Sequence, residues 1–340
     1  MRMAQSFEYA GNIHIHSRFS DGSGGAGLIA RVGRQAGLDF LIITDHRNID
    51  TRAYRGWYGN LLLLVGEELG RETGHYLGLG IKNLCRADRP QEMINEVARE
   101  NGVGIIAHPH DIKLFWPDWH VSGYNGISLW NFSSQWRNAL QNPLTWLLYS
   151  IHPSRCLTTP PPDTLKLWDS LQRTDRLITG VGSSDAHAFG IRPLGIPLVL
   201  VPYRLAFRAV NTHVLLAQAL TGNVGNDEQS IIEAIRRGSC FVANDLRGPS
   251  RGFRFWATDG GRDWGMGESV PAPHPGLELR VTVPDRGEIV LMRDGAGYMR
   301  AGDADRLALV QPPSGIYRSE VYRDAARKWG WIYSNPISVL

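Results

Sequence analysis

Short apolar runs that end on chemically equipped side chains recur along the first two thirds of this chain. Residues 38–44 (LDFLIIT) run into Asp45 and His46, and residues 61–65 (LLLLV) with Gly66 deliver Glu67 and Glu68. Residues 103–107 (VGIIA) stop at His108, Pro109 and His110. Residues 126–129 lead to Trp130 and Asn131, and residues 177–181 precede Ser183, Ser184, Asp185 and His187. Between these runs, apolar residues fall at helical spacing over 24–36, over 89–101 behind Pro90, near 137–150 and over 164–173. Buried strand alternating with amphipathic helix predicts a parallel α/β sheet, in which ligands gather beyond the carboxyl ends of the strands. Two further helical patterns are expected across 205–237, broken at Thr221, Gly222 and Asn223. Past about residue 248 the period drops to two in 253–258, 277–283, 289–293, 307–310 and 317–322, separated by turns such as Asp294-Gly295. That segment, residues 249–340, is expected to form a small all-β sandwich behind a linker at 248–252, leaving residues 1–248 as the first domain.

The segment 12–22 reads N-I-H-I-H-S-R-F-S-D-G. As a strand it would carry His14 and His16 on one side and Ile13 and Ile15 on the other, with Asp21 in the turn that follows. Alone, an H-x-H pair is more often two histidines of an edge strand than a metal site. The strand ends that follow change that reading, because His46, Glu68, His108, Asp185 and His187 all stand at the same kind of position.

Composition adds limits. The chain has 340 residues, 43% of them hydrophobic, enough for a large domain and a small one. With 36 Lys+Arg against 33 Asp+Glu and no basic run, no nucleic-acid partner is expected. Lys occurs only at 82, 113, 166 and 328, so the cations are mostly Arg, whose fixed fork suits phosphate. Cys85, Cys156 and Cys240 have neither disulfide-framework nor thiolate-zinc spacing. Residues 1–10 lack the apolar core of a signal peptide, and no run approaches the roughly 20 apolar residues of a span. The expectation is a cytoplasmic protein with no membrane partner.

Imidazoles and carboxylates together suit Zn, Mn or Fe(II). His14, His16, Asp21, His46, Glu68, His108, Asp185 and His187 make eight candidate ligands, too many for one tetrahedral site. Two or three divalent metal ions sharing a bridging carboxylate are expected, an arrangement suited to hydrolysing phosphate esters. The ordered motifs H-x-H-S-x-x-S-D-G, T-D-H, G-x-E, A-H-P and S-D-A-H, over residues 10–245, resemble the PHP (polymerase and histidinol phosphatase) family of metal-dependent phosphoesterases. The stretches G-I-S-L-W-N and G-V-G-S-S-D-A-H are similar to its CehA/McbA-like branch, associated with ester and carbamate hydrolysis. The resemblance implies a distorted (β/α)7 barrel. It also implies one metal on His14, His16, Asp185 and a bridging Glu68, a second on Glu68 and His108, and a third on Asp21, His46 and His187. Where many relatives carry a further ligand, this chain has Ser128, and Asn131 or His152 is the candidate substitute.

Other residues divide between chemistry and packing. Strand alternation turns Glu67 away from Glu68's side. His110 is a candidate proton donor to the leaving group, and Arg47 and Arg192 are candidates to grip a phosphoryl group. Asp45 is read as orienting a neighbouring imidazole, and His75 as a structural histidine near the site. His120, His213 and His274 fit no motif. The tryptophans at 116, 119, 130 and 136, and those at 256, 264, 329 and 331, are read as packing ahead of pocket walls or a sugar platform. The expected function is hydrolysis of a small-molecule phosphate ester. A carboxylic ester or carbamate hydrolase, and a binding protein acting through the sandwich, are the alternatives.

Overall fold

The computed structural model describes residues 6–71, 74–191, 198–324, 326 and 328–340. Its first elements are β1 (Phe7–Ile15), α1 (Ala26–Gln35), β2 (Phe40–Ile43), β3 (Gly56–Tyr58), β4 (Leu61–Val65), β5 (Glu67–Leu69) and β6 (Tyr76–Leu79). There follow α2 (Pro90–Arg99), β7 (Val103–Ile106), β8 (Gly126–Asn131), α3 (Phe132–Ala139), α4 (Trp146–Ile151) and α5 (Pro162–Leu171). Next come β9 (Thr179–Ser183), β10 (Phe189–Ile191), β11 (Leu198–Leu200), α6 (Tyr203–Ala206), β12 (Val210–Leu216), α7 (Val224–Arg236) and β13 (Cys240–Asn244). The chain ends in β14 (Arg254–Thr258), β15 (Asp263–Gly265), β16 (Ser269–Val270), β17 (Glu278–Arg293), β18 (Ala296–Val310), β19 (Gly315–Tyr322), β20 (Gly330–Ser334) and β21 (Ile337–Val339).

This is a mixed α/β protein with large sheets. Strands β1, β2 and β4 run parallel in one sheet, and β7, β8 and β9 run parallel in another that begins with the antiparallel pair β5 and β6. The chain passes from the first sheet to the second at Gly66. A Cβ there would lie 2.5 Å from the carbonyl oxygen of Gly78, so only glycine permits the crossing. On the far side the second sheet returns to β1: Ser184 N–H donates to the Ile13 carbonyl (3.2 Å), and His16 N–H to that of Ala186 (2.9 Å). The strands therefore make a ring joined at their carboxyl ends. Inside it, Ile13, Ile42, Leu64, Leu77, Ile105 and Val181 form one apolar cluster with Ile231 and Ile235 of α7. A packed apolar floor at one end leaves the other end for polar side chains.

The C-terminal strands are antiparallel except for the short parallel pair β16 and β21, and they build a second apolar cluster, including Phe253, Phe255, Leu279, Ile289 and Trp331. The long β17–β18 hairpin turns at Asp294 and Gly295, both at positive φ (49° and 78°), the conformation that an Asp-Gly pair favours in a tight hairpin. The sheet does not stop near residue 248, because β20 pairs with β13, β13 with β12, and β12 with β1. Two polar joints reinforce that continuity. Buried Arg318 makes a bidentate pair with Asp169 of α5 (2.7 and 2.8 Å). Glu8 on β1 lies 2.9 Å from His213 Nδ1 and accepts from Arg254 Nη1 (2.6 Å) and Gly252 N–H (2.8 Å).

Two sequence expectations are corrected. The first helical pattern in 205–237 is mostly strand β12, with only the short α6 before it. Its apolar run is buried on both faces between β1 and β13, where periods of two and 3.6 cannot be told apart, and Val210, Thr212 and Val214 favour the strand. The second correction concerns β1. Its register against β2 slips between Ile13 and Ile15, and His14 has φ of +68°. Ile13 consequently joins the interior cluster and Ile15 the outer one, so the two do not share a side. The bulge changes the parity of the strand, which brings the interior side from Ile13 onto the His14 and His16 positions.

Candidate metal centre

Eight of the nine histidine, aspartate and glutamate side chains that meet at the carboxyl ends of the ring were candidates from sequence; His75 is the ninth. Eight of them fall into three overlapping donor groups, and His108 reaches the cluster through Glu68. His14, His16, Glu68 and Asp185 form the first, His16, Asp21, His46 and His187 the second, and His46, Glu68 and His75 the third. Glu68 is central. Its Oε2 lies 2.8 Å from His14 Nε2 and 2.9 Å from His16 Nε2, while Oε1 lies 2.8 Å from His75 Nδ1 and 3.3 Å from His108 Nε2. Asp185 Oδ1 is 3.3 Å from both His14 Nε2 and His16 Nε2. Asp21 Oδ2 is 3.2 Å from His187 Nε2 and 3.9 Å from His46 Nε2.

Backbone strain accompanies the cluster. His14, His108 and Asp185 all sit at positive φ (68°, 28° and 51°), where a side chain is disfavoured. The His187 ring is set by its own segment: Nδ1 is 2.8 Å from the Asp185 carbonyl, which leaves Nε2 facing Asp21. Ser133 Oγ donates to the same carbonyl (2.7 Å), fixing α3 against the site.

The electrostatics are those of many imidazoles around few carboxylates. Burial is the largest influence on each group. It wins at His14, whose pKa is lowered. At His16 burial is outweighed by Asp185 and Glu68, which lift the imidazole to about 10. Glu68 is held well below the usual carboxylate range because His14, His46, His75 and His108 outweigh its burial. Asp185 is depressed in the same way, with His14 the largest opposing influence. Glu67 points away and donates nothing to the cluster: it accepts from Cys85 N–H (2.9 Å), and burial pushes it up to about 7.

Other candidates fall elsewhere. Asp45 does not orient an imidazole directly; its oxygens accept from Ser17 N–H (2.7 Å), Ser20 Oγ (2.6 Å) and Thr51 Oγ1 (2.5 Å), shaping the loop that carries Asp21. Ser17 Oγ is a fourth donor to the same carboxylate (2.7 Å). His110 Nδ1 meets Thr164 Oγ1 at 2.9 Å, and His110 is in none of the donor groups. Arg47 pairs with Asp88, while its backbone N–H donates to the Glu68 carbonyl (3.1 Å). Arg192 lies outside the described residues. Asn131 accepts from Ser134 N–H (2.9 Å) as the cap of α3, and His152 is exposed at the end of α4, so neither stands in beside Ser128.

Two residues were missed or underrated. His75, read as structural, enters because β5 and β6 form an antiparallel pair that aligns Glu68 with Leu77, two residues further on. Arg137 was not singled out at all. Its Nη1 donates to the buried carboxylate of Asp111 (2.5 Å), and its Nη2 lies 3.6 Å from Asp185 Oδ2. Nothing in a helix of sequence FSSQWRNA marks that arginine.

No family model and no curated protein sequence matches the chain. Among solved structures it is similar to a two-domain protein from Bacteroides vulgatus containing a predicted PHP-like metal-dependent phosphoesterase. That likeness has 14% identity and a TM-score of 0.46, over 97% of this chain and 95% of that one. It is also similar to a proposed metal-dependent phosphoesterase from Bifidobacterium adolescentis, at 16% identity and a TM-score of 0.35 over 52% of this chain and 87% of the other. A third is an amidohydrolase from Chromobacterium violaceum with bound sulfate and no metal, at 14% identity and a TM-score of 0.31 over 52% and 87%. Values this low leave the chemistry to be argued from the side chains themselves.

Proposed function

We propose that the chain is a metal-dependent phosphoesterase of the PHP type. The observation that carries this reading is the state of the buried donor atoms. His14 Nε2, His16 Nε2 and Glu68 Oε2 all lack a hydrogen-bond partner, although both nitrogens lie within 3 Å of that oxygen. Unsatisfied buried polar atoms are costly, and atoms that converge without bonding one another share a common point of aim. Divalent cations fit that donor set. His14, His16, Glu68 and Asp185 would hold one ion, Glu68, His75 and His108 a second, and Asp21, His46 and His187 a third. Such ions supply an activated water at neutral pH and neutralise charge on phosphoryl oxygens.

The chain's own residues do the rest. Glu68 is the shared group, its two oxygens serving different neighbours. Arg137, anchored by Asp111 beside Asp185, presents a guanidinium for a phosphoryl oxygen, and we assign it the gripping role expected of Arg47 and Arg192. Asp88 already occupies Arg47. His110, turned to Thr164, receives no part in proton transfer.

Metal content of the purified protein, with turnover of p-nitrophenyl phosphate and p-nitrophenyl acetate before and after chelation, tests the proposal. Chelator-sensitive phosphatase activity is expected, and Glu68→Gln should abolish it. Undiminished phosphate hydrolysis by metal-free protein would overturn the reading, and turnover confined to the acetate would transfer it to the carboxylic ester class.

A further inference from the structure

Helix α4 has no buried residue. Leu144 just before it is 91% exposed, Leu147 and Ile151 are 62% exposed, and Trp146 is 53% exposed. Ile112 and Phe115, on the loop after His108, are also exposed. Helix α3 joins these two apolar segments to the metal centre. Its Trp136 Nε1 donates to the Tyr149 carbonyl (2.9 Å), its Asn138 holds Ile112 N–H (3.0 Å), and its Arg137 reaches Asp185. A cluster of exposed apolar side chains on a solvent-facing surface marks an interaction site.

Charge indicates the partner. The 44 residues between Asp118 and Asp163 contain no Asp or Glu, although the whole chain has 33 in 340. Cations are present: Lys113 is exposed beside Ile112, and Arg155 follows Ile151 by four residues. Arg155 and Arg247 line a cleft of about 500 Å³ with Trp329, and the Arg247 guanidinium sits 3.9 Å over that indole ring. Arg247 Nη2 donates to the Leu157 carbonyl (2.9 Å), but its Nε is buried without a partner. Asp324 is the carboxylate whose field reaches Arg247. Against a second copy of the chain, a two-fold contact would set these cations against themselves with few carboxylates to answer them. An anionic lipid surface answers both features at once, taking apolar side chains and tryptophan at its boundary and cations at its phosphates.

We propose that this face docks on an anionic lipid surface, and that the substrate is an amphiphilic phosphate ester presented there. The second clause rests on the phosphoesterase reading; the docking does not. The docking departs from the sequence expectation of no membrane partner, which rested on the lack of a spanning segment; among the described residues no helix is long and apolar enough to cross a membrane. Docking from one side needs only the exposed face, which the sequence alone does not reveal.

The test is cosedimentation of the intact protein with phosphatidylcholine vesicles and with vesicles that also contain phosphatidylglycerol, at low and high salt. Wild type should bind the anionic vesicles preferentially and release them in salt. Leu147→Glu combined with Ile151→Glu should reduce binding by roughly tenfold or more, while p-nitrophenyl phosphate turnover stays unchanged. Arg155→Glu should weaken binding to the anionic vesicles alone. Equal binding to both vesicle types, or binding that survives the double substitution, overturns the docking. So does a double variant that merely converts a wild-type dimer to monomer. If vesicles bind but neither p-nitrophenyl phosphate nor vesicle-borne phosphatidic acid is hydrolysed, the docking stands and the phosphoesterase reading falls.

Discussion

His75 offers a sharp test, because its sequence context gives it no role and its position gives it a large one. It is buried, its Nδ1 lies 2.8 Å from Glu68 Oε1, and His108 Nε2 faces the same oxygen at 3.3 Å. Substituting Asn at 75 shortens the side chain and withdraws one of the three groups on that side of the cluster, while Glu68 Oε2, His14, His16 and Asp185 are untouched. A partner that merely orients a ligand is worth about 10- to 100-fold in metal affinity, or about 1.4–2.7 kcal/mol. A direct ligand should cost at least the upper end of that range. The expected result is a protein that still holds the ion at His14 and His16 but loses the one shared by Glu68 and His108. Equilibrium dialysis with elemental analysis would show the stoichiometry falling by one, and p-nitrophenyl phosphate turnover should fall about 100-fold or more. A parallel His152→Ala protein should behave as wild type. If His75→Asn kept full stoichiometry and turnover, the ion proposed at Glu68, His75 and His108 would be refuted.

Further outcomes follow from other contacts. Arg137→Lys keeps the charge but loses the fork held by Asp111, so KM for a phosphate ester should rise about tenfold, with metal content unchanged. Arg318→Ala strands Asp169 and the buried Glu320, and denaturant unfolding should show a loss of about 3–5 kcal/mol. The His213 imidazole, despite burial that opposes its charge, is lifted from 6.5 to about 9 by Asp245, Glu8 and the bonds they make. A raised pKa means that its stabilisation is complete below pH 6.5 and disappears as pH climbs through about 9. Stability should drop by on the order of 3 kcal/mol across that window, and His213→Gln should flatten the decline. A wild-type profile that rises there would contradict the assignment.

The strand ends that carry the candidate donors were legible because a buried parallel strand is a continuous apolar run, and its stop is abrupt when the next residue faces a polar site. Strands β2, β4, β7 and β9 all announce themselves in this way. Asp294-Gly295 was legible for a local reason, the shared need for positive φ. What stayed hidden depended on neighbours in space. β12 reads as helix until β1 and β13 flank it. His75 gains meaning only through the β5–β6 pairing, and Arg137 only because α3 lies across the ring's mouth. The bulge at His14 shows the limit most clearly: period-two reasoning placed both histidines together correctly, yet misassigned the isoleucines, since one slipped register inverts the parity on either side of it.

The strand β13 has β12 on one flank and β20 on the other, and all five of its residues are buried. A chain cut after residue 248 would leave Cys240–Asn244 as a bare, apolar rim offering unpaired amides to any passing strand, the usual template for aggregation. The C-terminal strands thus cover the sheet edge of the segment that bears the candidate metal centre. The change of period near residue 248 marks a change of pattern within one continuous hydrogen-bonded sheet, and a mutation in β20 should be felt as lost solubility of the whole molecule before it is felt as lost catalysis.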